Sequence, residues 1–193
     1  MGLIQSTAPT IEPVTVAELR DHAHIDTGAD DTALAVYAAA AREYIENYTN
    51  RQLISASWTW TLDEIPELFR PRRSPLISVT SLKYYDTAGV QQTLSSATYA
   101  VDASTEPGRI ALAYGQSWPS VRAQQDAVEL IFLAGYGLTT ATVPAQLRLA
   151  IMQLAAHWAE NREPVAPGGG GLGTIPLHVE RLIDQKRLPD FGP

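Results

Sequence analysis

The chain has 193 residues, a formal net charge of −7 and no cysteine. A folded surface of about 9,000 Å² against roughly 30,000 Å² for the open chain lets about 70% be buried, so one domain with a real core, or one domain with an appendage, is expected. Lack of cysteine excludes a disulfide framework and a thiolate metal site, and the acidic balance disfavours general nucleic-acid binding, which rests on phosphate neutralisation by Lys and Arg.

Residues 1–13 read as an N-terminal arm. "MGLIQSTAPTIEPVTV" lacks a basic region followed by a long apolar run, and no later stretch approaches about 18 continuous apolar residues, so a soluble, cytosolic chain without a membrane segment is expected. In "VTVAELRDHAHID" Thr15 is placed to cap a short helix, and Glu18 completes a capping box. After "DTGADD", Asp30 or Asp31 caps a longer helix in which Leu34, Tyr37, Ala41, Ile45 and Tyr48 recur at helical spacing, giving one buried face.

The middle reads as strands. "SASWTWTLD", "SVTSLKYYD", "VQQTLS", "ATYAVD", "GRIALAYG" and "DAVELIFLAGYG" are short, β-branched or aromatic, and separated by turn signals such as "DTAG", "EPG" and "WPS". Tyr85 to Gln91 suits a hairpin loop. "VELIFLAG" is apolar almost throughout, which predicts a central strand covered on both faces.

A long helix follows. Pro144 suits its first position, and Leu147, Ala150, Ile151, Leu154, Ala155 and Trp158 form a stripe along about 30 Å, up to Pro164. The pattern as a whole predicts an α+β fold, with helices packed against a small, mainly antiparallel sheet in a domain spanning 14–163. A Pro/Gly-rich hinge spans 164–174, and 175–193 forms a separate C-terminal segment. From Glu163 to Thr174 the hinge has an r.m.s. span of about 19 Å and an extended limit near 40 Å. The helix after it places Ile175, Val179, Leu182 and Ile183 on one side, but about a dozen residues are too few for stability alone in water. It must dock, on a partner or back on its own domain.

Four features carry possible chemistry. "PGGGGLGT" contains G-x-G-x-x-G as Gly168, Gly170 and Gly173, but a dinucleotide site needs a strand before the motif and a helix opening within it, whereas here a helix precedes it. There is no lysine for a Walker loop, so Gly168, Gly169, Gly170 and Gly171 read as a hinge. "HAHID" places His22, His24 and Asp26 in a pattern used by some binuclear metallohydrolases; on a helix, i and i+2 diverge by about 200° and share no metal unless the helix has ended. The carboxylate pairs Asp30/Asp31 and Asp63/Glu64 suit a helix start and a strand end. "FRPRRSP" clusters Arg70, Arg72 and Arg73, most simply a solvated turn, and otherwise a contact for an acidic partner or passing phosphates. No nucleophile elbow occurs, and no cofactor is implied.

The order of segments resembles a known family. The acid-capped helix ending in "AREYIENYTNRQL", then "TWTLDEIP", "SPLISVTSLKYYD", "PGRI", "WP", "AGYG", "VPAQLRLAIMQLAAHWAENRE" and "IPLHVERLI", together resemble the head-tail connectors, or head-completion adaptors, of long-tailed bacteriophages, prophages and gene transfer agents, over residues 13 to 185. The resemblance implies a structural protein without enzymatic activity, made in the bacterial cytoplasm and placed at the head-tail interface of a particle. Copies, about twelve, would form a ring beneath the portal protein and extend the DNA channel toward a tail-side stopper or head-closure protein, DNA passing without sequence-specific binding. In that family the last segment seats on the portal, which maps by position to Ile175, Pro176, Leu177, Val179, Leu182 and Ile183. Two other readings stand beside it: a small metal-dependent hydrolase using "HAHID", and a self-contained regulatory or scaffold domain whose terminal helix packs back on itself.

Overall fold

The computed structural model describes residues 2–25, 31–161 and 175–189. Among them the chain forms two compact units: a strand unit of residues 2–9 and 55–136, and a helical unit of 10–54 and 137–189. This departs from the expected division into arm, single domain and appended tail.

The strand unit holds two antiparallel sheets. Five strands, β1 (Gly2–Thr7), β2 (Ala56–Leu62), β4 (Leu76–Tyr85), β5 (Gln91–Thr93) and β8 (Val128–Ala134), lie in the order β1-β2-β8-β4-β5; β3 (Leu68–Phe69), β6 (Tyr99–Asp102) and β7 (Arg109–Leu112) form a smaller sheet in the order β3-β7-β6. Alternation explains β2: Trp58, Trp60 and Leu62 turn to one face and are buried, while Ser57, Thr59 and Thr61 turn to the other. Both sheets share one core around Phe69, Leu82, Ile110, Leu130 and Phe132, with Trp60 edge-on to Phe69 at 6.2 Å between ring centres. The expected hairpin at Tyr85 to Gln91 is present, closed by Asp86 N–H donating to Val90 O at 3.0 Å and by Gly89 at φ +82°.

Two expectations change here. The N-terminal arm is a strand: β1 pairs with β2, placing Leu3 opposite Trp60 and against the core. Its partner lies more than fifty residues away, a pairing that local pattern cannot announce. Strand β8 is central as expected, but it buries one face only, Val128, Leu130, Phe132 and Ala134, while Glu129, Ile131 and Leu133 are half-exposed. On that half-exposed face Glu129 pairs with Lys83 across the β4–β8 ladder at 3.0 Å. Antiparallel neighbours require only one covered face, so an apolar run does not by itself imply two.

The helical unit contains α1 (Val16–Ala23), α2 (Asp31–Thr49), α3 (Ala145–Glu160) and α4 (Leu177–Asp184). Thr15 caps α1 and the capping box with Glu18 is formed in both directions, at 3.2 and 2.9 Å. Helix α2 buries Leu34, Ala41 and Ile45 of its expected stripe together with Ala38, and α3 buries Leu147, Ala150, Ile151, Leu154 and Ala155, whereas the large rings of Tyr37, Tyr48 and Trp158 stay partly exposed at the edges of those faces. Pro144 stands at the cap of α3 rather than inside it, and the helix ends at Glu160, before Pro164, for a length of about 24 Å.

Candidate partner interface

The terminal helix is where the function was expected to lie. Pro176 and the apolar spacing that follows start α4, whose Val179 and Ile183 are fully buried against α2 and α3. Polar groups then tie the end of the chain to the end of α2. Asn50, in the left-handed region at φ 57°, donates from Nδ2 to Leu188 O at 3.0 Å; Arg51 Nε donates to Lys186 O at 2.6 Å; Leu188 N–H donates to Thr49 O at 3.0 Å. Tyr48 Oη donates to Asp184 Oδ1 at 2.5 Å, with the Arg187 guanidinium 4.9 Å from the Tyr48 ring centre. That bond to the Asp184 carboxylate raises the Tyr48 phenol above its ordinary pKa, and Arg187 opposes the rise. From α3, Gln146 Nε2 donates to Leu182 O at 2.7 Å, at the open end of α4 where carbonyls lack helical partners.

The expected docking residues therefore divide. Val179 and Ile183 face this chain's own helices, Ile175, Pro176 and Leu182 are half-buried, and Leu177 is 60% exposed. An eight-residue amphipathic helix has the same sequence whether its own bundle or another protein covers it, and in this chain its own bundle covers Val179 and Ile183. The anchoring residues Tyr48, Asn50, Arg51 and Gln146 were missed because each bonds to a backbone or side-chain atom far along the chain. Only the Asn after a helix, a common left-handed end, was available as a signal. Gly168, Gly169, Gly170 and Gly171 lie outside the described residues.

The arginine loop is more structured than a solvated turn. Arg70 is exposed and Arg72 and Arg73 are half-buried; Arg73 lies 4.7 Å from the centre of the Trp58 ring, and all three make contacts within the chain. At "HAHID", His22 lies in the last turn of α1 and His24 ends that helix in the left-handed region at φ 53°. Asp26 lies outside the described residues. Among the described residues no group of three or more His, Asp or Glu is placed to hold a metal ion.

A family model described as phage gp6-like head-tail connector protein matches residues 13–107. Three solved structures match over 100% of this chain and 99% of theirs: a chain from the neck of an empty GTA particle computed with C6 symmetry, at 31% identity and a TM-score of 0.79; one from the virion of a native gene transfer agent particle, at 29% and 0.81; and one from the neck of a native GTA particle computed with C12 symmetry, at 29% and 0.78. No curated protein matches. The helical unit and the double-sheet unit together define a connector of the phage neck class, and the chain belongs to the head-tail connector family.

Proposed function

We propose that this protein is a structural adaptor of a phage or phage-like particle, without enzymatic activity, whose copies form a ring beneath the portal, extend the DNA channel and receive a tail-side stopper or head-closure protein. The observation that carries this reading is the end-to-end match to chains of gene transfer agent necks, including one computed with twelvefold symmetry. The twelvefold symmetry of that neck supports a ring of about twelve copies. The chain's net charge of −7 supports passage of DNA without adhesion, since a surface of like sign repels phosphate.

Portal docking, in this reading, uses the outer side of the C-terminal segment. Leu177, with Ile175 and Pro176 beside it, offers apolar contact, while Val179 and Ile183 hold α4 to its own bundle. The arginine loop is the remaining candidate for an acidic partner or passing phosphates, through exposed Arg70. The test is electron microscopy of the parent particle. A ring of this chain between portal and tail is the expected result; a single copy there, or stoichiometric bound zinc, iron or manganese lost together with an activity when His22 and His24 are changed to Gln, would overturn the adaptor in favour of another function.

A further inference from the structure

Tyr114 is the most exposed large hydrophobic side chain among the described residues, wholly open to solvent, yet the turn that carries it is tightly fixed. Gln116 N–H donates to Ala113 O at 3.1 Å, Ala113 N–H donates to Thr98 O at 3.0 Å, and Gly115 takes φ +75°, a conformation that favours glycine. A few residues on, Trp118 packs edge-on against Phe69 at 5.9 Å and ties the loop to the core. From Ala113 to Ser120 the sequence AYGQSWPS carries no charge. A large amphipathic ring on a rigid, uncharged Ser/Gly-bearing turn loses little conformational entropy when covered, which is the chemistry of a protein-contact loop. Without Lys or Arg it has none of the phosphate attraction that a nucleic-acid contact uses.

The same unit holds a recess of matching chemistry. An open cleft of about 580 Å³ has apolar walls from Leu62, Pro66 and Val121 and a polar rim from Asp63, Glu64 and Arg122. Its rim is held in place. Asp63 Oδ1 accepts from Asp126 N–H at 2.9 Å, Arg122 N–H donates to Tyr85 O at 2.9 Å, and the Arg122 guanidinium crosses Gly89 where any Cβ would collide with it. Apolar walls accept a phenyl ring and carboxylates accept a phenol O–H. Tyr114 is not among the residues that line its own chain's cleft.

A closed ring repeats one heterologous contact, a projection on one copy meeting a recess on the next. We infer that Tyr114 of one copy seats in the Leu62–Pro66–Val121 cleft of its neighbour, its hydroxyl donating to the carboxylate rim at Glu64 or Asp63. This rests on the adaptor reading. One aromatic side chain buries about 150–250 Å², against roughly 1,200–2,000 Å² for a stable pair, so this contact alone leaves the chain monomeric in dilute solution and fixes the rotation between copies once a portal gathers them.

The absence of cysteine makes the test direct. In particles built from a mixture of Tyr114→Cys and Ala123→Cys copies, a short bismaleimide should give a cross-linked dimer that neither variant gives by itself; Tyr114→Ala should lower incorporation into the ring about tenfold or more, and Tyr114→Phe much less. Particles that contain the ring but give no mixed dimer, or in which Tyr114→Cys copies cross-link to each other or to a portal or tail-side protein instead, overturn the contact and leave the adaptor standing. Particles without any ring of this chain overturn the adaptor reading, and the contact with it.

Discussion

Glu46 shows how much one buried residue can hold. It sits on α2 with Arg42, both nearly inaccessible: Arg42 Nη1 donates to Glu46 Oε2 at 2.8 Å, Arg42 Nε donates to Glu12 at 2.8 Å, and Glu46 Oε1 accepts from Gln52 Nε2 and Leu53 N–H at 2.8 and 2.9 Å. Burial works against the Arg42 charge, but Glu46 and Glu12 outweigh it and raise the guanidinium pKa. Removing one partner leaves the other charge buried, so Glu46→Ala should cost about 3–5 kcal/mol in denaturant unfolding. An unchanged midpoint would show the network to be idle. At the surface, Asp102 accepts from Ser104 and Arg109, and these bonds lower its carboxyl from 3.8 to about 2. A depressed folded pKa means stability that is present above 3.8 and lost as pH falls toward about 2. The difference in melting temperature between wild type and Asp102→Asn should therefore shrink through that acid window and stay constant above it; a difference that grows with acid would refute the assignment.

Helix α4 is the element on which the functional argument turns. Because Val179 and Ile183 complete the packing of α2 and α3, Ile183→Ala should destabilise the helical unit by about 2–5 kcal/mol. Leu177→Asp, by contrast, changes an exposed position and should leave the melting transition within about 0.5 kcal/mol of wild type while weakening assembly onto the portal. Calorimetry and portal binding on the same two proteins separate anchoring from docking. If Ile183→Ala melts like wild type, α4 does not belong to the bundle; if Leu177→Asp assembles normally, the outer side of α4 is not the docking surface.

For the whole molecule, the net charge carries a prediction of its own. With 21 acidic and 14 basic side chains, the protein should bind duplex DNA more weakly than about 10⁻⁴ M at physiological salt, below the ordinary non-specific range. Fluorescence anisotropy with a labelled duplex measures this. Micromolar binding that fades with added salt would show that a local cluster such as Arg70, Arg72 and Arg73 dominates over the net charge.

Features with a short period or a short reach were the legible ones. The capping box of Thr15 and Glu18, most of the α2 and α3 stripes, the β2 strand and the hairpin closed between Asp86 and Val90 each depend on neighbours a few residues apart, and each is present. The ordered combination of those elements also carried the family. Which surface a given apolar face covers was settled by the three-dimensional packing. Strand β1 found β2, β8 kept one face half-open, and α4 turned its stripe onto its own bundle, because hydrophobic burial is non-directional and is satisfied by whatever matching face the chain brings near. The same holds for the buried Arg42–Glu46 network and for the polar grip of Asn50 and Arg51 on residues 186–188, where partners are chosen by distance in space and leave no periodic trace along the chain.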